Sequence, residues 1–250
     1  MKYMTKHLTL AAAVTLAMAS LGAGVARAED APAAKPDNEV TFNAALTTDY
    51  RYRGYSQTRL KPAVQGGADY VHNPSGFYAG TWLSTIKWVK DAGGDASVEW
   101  DIYGGKRGDI GGGFSYDVGG LYYFYPSNDL NPSANTFELY GAVGYGPFSL
   151  KYSHSTTNLF GFTDSKNSGY VDAAMNQEIQ DGYILNLHLG HQKVNHNSAA
   201  SYYDWKVGVT KDFGVATVSL AAIKANTNAY FSRGKNLAKT GAVLTVTKTF

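Results

Sequence analysis

Between Glu39 and Phe250, the sequence alternates apolar and polar residues in short segments that are separated by turn-forming residues. Because successive side chains of a β-strand point to opposite faces, this period of two predicts strands with one apolar and one polar face. The ninth segment is the clearest, since it carries three leucines on one face and Asn186 and His188 on the other. The sequence contains twelve such segments, at about 39–53, 62–72, 76–88, 96–106, 113–125, 135–145, 148–156, 169–179, 183–192, 201–211, 215–224 and 242–250.

The connectors between the predicted strands alternate in length. Short connectors lie at about 73–75, 107–112, 146–147, 180–182 and 212–214. Longer connectors lie near 54–61, 89–95, 126–134, 157–168, 193–200 and 225–237. Short turns that alternate with long loops, an even strand number and strands of about 9–11 residues are typical of outer-membrane barrels. The sequence therefore predicts an all-β fold, a transmembrane antiparallel up-and-down β-barrel of about twelve strands, over residues 39–250.

A secreted all-β domain is the main alternative, and two features argue against it. The polar faces of the predicted strands carry many charges, which the core of a soluble sandwich would exclude. The last segment places Ala242, Leu244 and Val246 on the same face as a final aromatic, Phe250. Strands that close outer-membrane barrels end in this way. We therefore expect Phe250 to be the terminal signal by which the barrel-assembly machinery recognises the last strand.

The N-terminus predicts export. Lys2 and Lys6 precede an apolar run from residue 8 to residue 25, and Ala26-Arg27-Ala28 fits a small-x-small cleavage site. This pattern predicts a signal peptide at residues 1–28, cleaved before Glu29, and a flexible periplasmic lead-in at 29–38. A membrane-anchor helix is the alternative for the apolar run. The predicted location of the mature chain is the cell outer membrane.

Charge and cysteine content exclude further classes of protein. Removing residues 1–28 takes away three of the 22 basic residues, which leaves 19 basic and 20 acidic residues and a net charge of −1. This balance leaves no basic patch for nucleic acid. The chain has no cysteine, so its stability has to come from strand pairing and packing rather than from disulfides.

The polar faces of the predicted strands would line the barrel interior. They carry nine acidic residues: Asp49, Asp69, Glu99, Asp101, Asp117, Glu138, Asp172, Glu178 and Asp204. They also carry four basic residues: Arg51, Arg53, Lys151 and Lys206. Charges that line a pore select ions, and the excess of acids predicts a weak preference for cations. The alternative is a lumen filled by paired charges and tyrosines, which conducts nothing.

Other polar groups face the predicted interior as well. They are Tyr103, Tyr123, Tyr125, Tyr140 and His188. The tyrosines could stack on a sugar or hold an organic cation, although such side chains more often only fill a lumen. Arg51 and Arg53 lie two residues apart, where they could pair with Asp69 on the next strand or bind an anionic solute.

The sequence predicts neither a metal site nor a cofactor. His188, His191 and His196 lack a compact ligand spacing, and no cysteine accompanies them. The nearest approach to a catalytic arrangement is His154 between two serines, Ser153 and Ser155. We predict that His154 faces lipid and that the protein is not an enzyme.

Several motifs resemble a known family. They are Asp49-Tyr50-Arg51-Tyr52-Arg53-Gly54 with Ser56-Gln57, Pro62-Ala63-Val64-Gln65-Gly66-Gly67, Gly76-Phe77-Tyr78-Ala79-Gly80-Thr81-Trp82, Glu99-Trp100-Asp101-Ile102-Tyr103-Gly104-Gly105 and Leu121-Tyr122-Tyr123-Phe124-Tyr125-Pro126. Together they resemble the TorF family of proposed outer-membrane porins of Gram-negative bacteria. The match is strong to about residue 145, and beyond it rests on hairpin layout, the segment 203–205 and the chain end. The resemblance implies an outer-membrane barrel, and it supplies no substrate and no catalytic residue.

These observations lead to three hypotheses of function. The first is a porin-like channel for passive diffusion of small hydrophilic solutes or ions through a polar, mildly acidic lumen. The second is a closed structural or adhesive barrel that acts through its outer loops. The third is a membrane-embedded lipid-modifying enzyme. In each case the expected surroundings are outer-membrane lipid.

Overall fold

The computed structural model describes residues 36–250. The predicted signal peptide 1–28, and the predicted lead-in as far as residue 35, lie outside the described residues. The strands are β1 (Asn38–Thr47), β2 (Arg51–Tyr52), β3 (Tyr55–Ser56), β4 (Ala63–His72), β5 (Phe77–Thr85), β6 (Val98–Gly111), β7 (Phe114–Phe124), β8 (Thr136–Tyr145), β9 (Phe148–Ser155), β10 (Gly169–Gln180), β11 (Tyr183–Lys193), β12 (Tyr202–Asp212), β13 (Thr217–Ala225), β14 (Phe231–Ser232), β15 (Lys235–Asn236) and β16 (Gly241–Thr249). A short helix, α1 (Trp88–Asp91), and a 3₁₀ turn, Ser198–Ala200, lie in the loops.

Twelve of these strands form one closed antiparallel barrel, in the order β1-β16-β13-β12-β11-β10-β9-β8-β7-β6-β5-β4. The last strand closes it, because β16 pairs with both β13 and β1. The predicted fold class and strand number are therefore confirmed. The remaining short strands form two ribbons in the loops, β2 with β3 and β14 with β15.

The short connectors contain the residues that tight turns require. Asp181 and Gly182 both adopt positive φ, 50° and 74°, as the two central residues of a type I′ hairpin must. Gly112 and Gly113 also have positive φ and join β6 to β7. We call this end of the barrel the short-turn end. The opposite end, the long-loop end, carries the six connectors 48–62, 86–97, 125–135, 156–168, 194–201 and 226–240.

Apolar side chains cover the outside of the barrel, as the period of two predicts. Five leucines on different strands are at least half exposed: Leu46, Leu139, Leu150, Leu189 and Leu220. Water-soluble monomers rarely expose such a continuous apolar surface, whereas a barrel in a bilayer presents it to hydrocarbon. Within residues 36–250, no helix is long and apolar enough to cross a membrane.

The first strand is shorter than predicted. We expected a strand over 39–53 with Tyr50 and Tyr52 on the lipid-facing side, but β1 ends at Thr47 and both tyrosines are buried inside. The pairing partners explain this, because Thr47 is the last residue of β1 opposite both Ala63 of β4 and Thr245 of β16. Because β4 begins at Ala63, the chain beyond Thr47 has no partner on that side. Thr48 N still bonds to Leu244 O of β16, and the chain then turns inward.

Candidate functional site: the barrel interior

The interior has two unlike walls. The inward side chains of β13, β16 and β1 are uncharged through most of their length and include Thr47, Ser219, Val243, Thr245 and Thr247. The inward side chains of β6 to β12 carry the charges: Glu99, Asp101, Asp117, Glu138, Lys151, Asp172, His188, Asp204 and Lys206. Apart from Asp69 on β4, the titratable groups of the barrel strands named here therefore lie on one wall, formed by β6 to β12.

Segment 48–62 crosses the lumen between these walls. Its Arg53 is 7% exposed, and the guanidinium donates hydrogen bonds to both carboxylate oxygens of Glu138, at 3.0 and 2.7 Å, and to Gln192 Oε1 at 2.7 Å. Glu138 lies on β8 and Gln192 on β11, on the side of the barrel opposite β1. One arginine thus ties the inward segment to the far wall.

Aromatic rings reinforce this crossing. The Arg53 guanidinium lies 4.2 Å from the centre of the Tyr170 ring and 4.8 Å from that of Tyr52, which are cation–π distances. The next residue, Gly54, has a φ of 89° and packs on the far wall. A Cβ at position 54 would collide with the Cβ of Asp204. Only glycine fits both the conformation and the space.

An aromatic cluster closes the long-loop end around the inward segment. Phe160, from loop 156–168, packs its ring edge-to-face against Tyr52, Tyr123 and Tyr125 at 5.1–6.5 Å. Tyr50 packs in the same manner against Trp82 on β5, at 5.3 Å. Such pairs add stabilisation beyond their buried area, so the outer half of the lumen is a packed core in this structure.

Acidic groups lie beneath this aromatic cluster. Glu99 accepts hydrogen bonds from the hydroxyls of Tyr50 at 2.5 Å and Tyr125 at 2.8 Å. Burial raises the pKa of both tyrosines well above the ordinary value, so their hydroxyls stay protonated and donate. Asp101 is fully buried and neither of its carboxylate oxygens has a hydrogen-bond partner in the structure. A buried ionised carboxylate without a partner is costly.

A histidine links two acids lower on the charged wall. His188 Nδ1 lies 3.0 Å from Asp172, and His188 Nε2 lies 2.6 Å from Asp204. Carboxylates only accept, so both ring nitrogens have to donate and the geometry fits a positively charged imidazolium. Tyr170 donates its hydroxyl to Asp204 at 2.9 Å. The single positive charge of His188 therefore offsets one of the two carboxylate charges, and the group keeps a net charge of −1.

Polar groups, some buried and some partly exposed, continue toward the short-turn end. Tyr103 donates to Asp69 at 2.6 Å, and Tyr78 donates to Asp117 at 2.6 Å. The Lys151 ammonium lies 4.0 Å from the centre of the Tyr140 ring. The interior is therefore polar at this end of the barrel as well.

An ion cluster at the long-loop end of the barrel joins three loops. Asp91, from α1, pairs with Arg59 of the inward segment, and the Arg233 guanidinium of loop 226–240 lies 3.8 Å away. Burial by itself raises the pKa of Asp91, but hydrogen bonds from Arg59 and Ser232 and the two positive charges outweigh it. They hold the pKa below the ordinary 3.8. Asp91 therefore stabilises the packed loops in its ionised form.

Acid should loosen these loops. Because the folded-state pKa of Asp91 is depressed, its stabilising effect is complete above the ordinary aspartate pKa and disappears as the pH falls through the lower folded value. We expect hydrogen exchange of segment 48–62, corrected for the intrinsic rate, to accelerate between pH ~5 and ~2. In the Asp91→Asn variant, the amide hydrogens of segment 48–62 should exchange rapidly even at neutral pH. Asp95→Asn, at an exposed site that pairs only with Lys90, is the control. An unchanged acid response in Asp91→Asn would refute this role.

The structure distributes the predicted site residues over two environments. Buried in the closed outer half or against the charged wall are Asp49, Arg53, Glu99, Asp101, Asp117, Tyr123, Tyr125, Glu138, Tyr140 and Asp204. Partly exposed are Arg51, Asp69, Tyr103, Lys151, His188 and Lys206. That these residues line an open pore remains a prediction. Glu178 lies at the short-turn end, where its carboxylate accepts from Gly182 N at 3.2 Å.

The predicted pairing of two arginines with Asp69 is wrong. Arg51 binds Asp49 at 2.6 Å, and Arg53 binds Glu138 at 2.7 Å. Asp69 accepts from Tyr103 instead. The physical reason is the early end of β1, because both arginines lie in the inward segment rather than opposite β4.

Several residues that contact the interior charges were not predicted from the sequence. Tyr170 and Gln192 hold Arg53 and Asp204, and Tyr78 binds Asp117. Tyr170 and Gln192 each lie an even number of residues from a predicted interior charge, Asp172 or His188, so the alternation would have included them. Tyr50 and Tyr52 had no such signal.

His154 and its two neighbouring serines do not point to the same side of the strand, as a catalytic arrangement would require. His154 is on the outer face of β9, where its ring nitrogens lie near Tyr152 Oη and Asn167 Oδ1 at 3.4 and 3.2 Å. Ser153 and Ser155 are buried on the opposite face. Among residues 36–250, no group of three or more histidines and acids could hold a metal ion.

Comparison with known proteins assigns the chain to a family. Residues 30–250 match the family described as "Bacterial protein of unknown function (Gcw_chp)". The chain belongs to the Gcw_chp family. No curated protein sequence matches it.

Two solved structures resemble this Gcw_chp protein in fold. The first is the KdgM porin, with a TM-score of 0.55, 7% identity, and coverage of 84% of this chain and 98% of that chain. The second comes from work titled "Unveiling the Mechanism Behind the in-meso Crystallization of Membrane Proteins", with a TM-score of 0.50, 9% identity, and coverage of 84% and 83%. At these identities the likeness extends to the barrel fold alone.

Proposed function

We propose that this Gcw_chp protein is a narrow porin-like channel of the cell outer membrane, through which small hydrophilic solutes or ions diffuse. The apolar outer surface and the polar interior of the closed barrel support this proposal. The observation that carries it is segment 48–62, which enters the lumen as a constriction and is tied across it by Arg53. The resemblance to the TorF porins stays a prediction of the sequence.

The expected preference for cations over anions is small. Of the acids that predicted a cation preference, Asp49 and Glu138 are each neutralised by an arginine, and His188 offsets one of the two charges of Asp172 and Asp204. The partly exposed side chains that remain include bases as well as acids. The cation preference therefore stays a prediction of modest size, which the reversal potential in a salt gradient would test.

Single-channel recording of the refolded full barrel in a planar bilayer tests the proposal. We expect discrete openings of low conductance, because the constriction leaves little free cross-section. Swelling of liposomes in sugars of graded size then gives the size limit. A correctly folded barrel, shown by its heat-dependent mobility in gels, that conducts nothing would contradict a channel.

A closed barrel is the second candidate, because of one observation. Tyr50, Asp101 and Ser56 are at most 1% exposed, so water does not reach these side chains at the long-loop end in this conformation. A folded but non-conducting barrel whose loops can be removed without loss of stability would favour a role of the loops outside the cell.

A further inference from the structure

The outer surface of the barrel has an aromatic girdle that is interrupted at the long-loop end. Outward aromatic side chains are found there on strands between β6 and β12: Trp100, Tyr122, Phe124, Phe137, Tyr152, Tyr203 and Trp205. On the neighbouring strands β13, β16, β1, β4 and β5, the outward residues of this half carry no aromatic ring and, apart from Lys224, are small or aliphatic. They include Ala222, Ala242, Leu244, Leu46, Val64 and Leu83. We call these five strands the smooth face.

The interruption is confined to one end. At the short-turn end the smooth face does carry outward aromatics, Tyr70, Phe77 and Phe250, all at least 40% exposed. Aromatic girdles mark the two levels at which a barrel meets the membrane interface. The long-loop half of the smooth face therefore meets something other than the usual interface.

The loops directly above the smooth face are strongly basic. Loops 48–62, 86–97 and 226–240 together contain nine basic and three acidic residues, a net charge of +6. The other three long loops contain one basic and two acidic residues. The basic loops pack together, since Ser56 N donates to Leu237 O at 3.0 Å and Lys87 N donates to Gln57 O at 2.8 Å. Their charges thus form one basic surface, so the expectation from the net charge that the chain has no basic patch is wrong.

Most of this net positive charge lies on solvent-exposed lysine side chains. Lys61, Lys87, Lys235 and Lys239 are exposed, and within residues 36–250 they form no ion pair. Lys224 is exposed on the outward face of β13, in register with Trp205. Each of the three carboxylates in these loops forms an ion pair. Asp49 and Asp91 pair with arginines, and Asp95 pairs with Lys90.

We propose that the smooth face and the basic loops above it form a binding surface for an anionic, phosphate-bearing lipid of the outer leaflet. Its acyl chains would lie along Leu46, Val64 and Leu83, which present a flat aliphatic surface without aromatic rings. Its phosphates would bind the lysine ammonium groups, which attract anionic head groups. The inference rests on the proposed membrane location and does not depend on conduction.

A second copy of the chain is the other possible occupant of an apolar face. Charge argues against it, because a symmetric interface brings the same patch of each subunit together. Two sets of loops with a net charge of +6 would then repel one another. An anionic lipid removes this repulsion and is therefore the occupant that the surface fits.

Native mass spectrometry of the refolded full chain, with lipid A or phosphatidylglycerol and with phosphatidylcholine as the neutral reference, tests the proposal. We expect retention of the two anionic lipids and little retention of phosphatidylcholine. The triple variant Lys61→Gln, Lys87→Gln, Lys224→Gln should bind them at least about tenfold more weakly, given the attraction of each lysine to an anionic surface. The matched control is Lys166→Gln, Lys193→Gln, Lys106→Gln, which removes the same charge elsewhere and should bind as the wild type does.

Three outcomes would overturn the proposal. Equal weakening in both triple variants would show unspecific attraction, and equal retention of phosphatidylcholine would show that charge is irrelevant. A stable dimer that excludes lipid would assign the face to a second copy. Failure of the channel proposal is distinguishable, since it would appear as absent conductance with lipid binding intact.

Discussion

In an Arg53→Ala variant, single-channel conductance is expected to rise and the stability of the barrel to fall by about 3–5 kcal/mol. The guanidinium is the link between the inward segment and the far wall, and its removal leaves Glu138 buried without its partner. An uncompensated buried charge is far more costly than the net worth of the pair. Planar-bilayer recording measures the conductance, and urea unfolding in vesicles measures the stability.

A second substitution separates these two effects. Arg53→Ala combined with Glu138→Gln removes the uncompensated charge, so part of the stability should return while the conductance stays high. Lys193→Ala, at an exposed site at the end of β11, is the control and should leave the conductance at the wild-type level. If Arg53→Ala conducts no more than the wild type, segment 48–62 is not the constriction.

Val207→Arg should destabilise the barrel by about 2–4 kcal/mol, the cost of an arginine on the lipid face near the bilayer midplane. Val207 is 49% exposed at the middle of β12, where it is paired with Leu187 and Ala222. Urea unfolding in phospholipid vesicles, with tryptophan fluorescence as the readout, measures this difference.

Val215→Arg is the matched control, because Val215 is 73% exposed in the turn between β12 and β13. An arginine near the interface costs only about 0–1 kcal/mol. Equal effects at both positions would mean that the apolar belt is not in hydrocarbon.

The architecture could be predicted because it depends on local regularities. The alternation of Tyr183 to Leu189 matches a strand that runs from Tyr183 to Lys193, and Asp181-Gly182 is the turn that the pair of residues indicates. A side-chain period of two leaves little freedom, since a shift by one residue would expose every charge to lipid. The same period placed Glu99, Asp101 and Glu138 on the inward faces of β6 and β8, where the structure buries them.

The content of the lumen could not be predicted in the same way. Tyr50 and Tyr52 continue the apolar alternation of β1, and a tyrosine suits a membrane interface as well as a core. Which of the two it joins depends on whether a neighbouring strand is present to pair with. That in turn depends on β4, which begins only at Ala63, and on the register between β1 and β16, which are distant in sequence.

The sequence by itself therefore determined the number of strands, their inward and outward faces and the alternation of turns and loops, because these follow from the period of a single strand. Only the tertiary structure decided that segment 48–62 enters the barrel, that Arg53 pairs with Glu138 across it, and that the charges gather on one wall. These features depend on contacts between residues that are distant in sequence, such as Arg53 and Gln192, which lie 139 positions apart. They exist only once the barrel closes and brings β1 opposite β8 to β11.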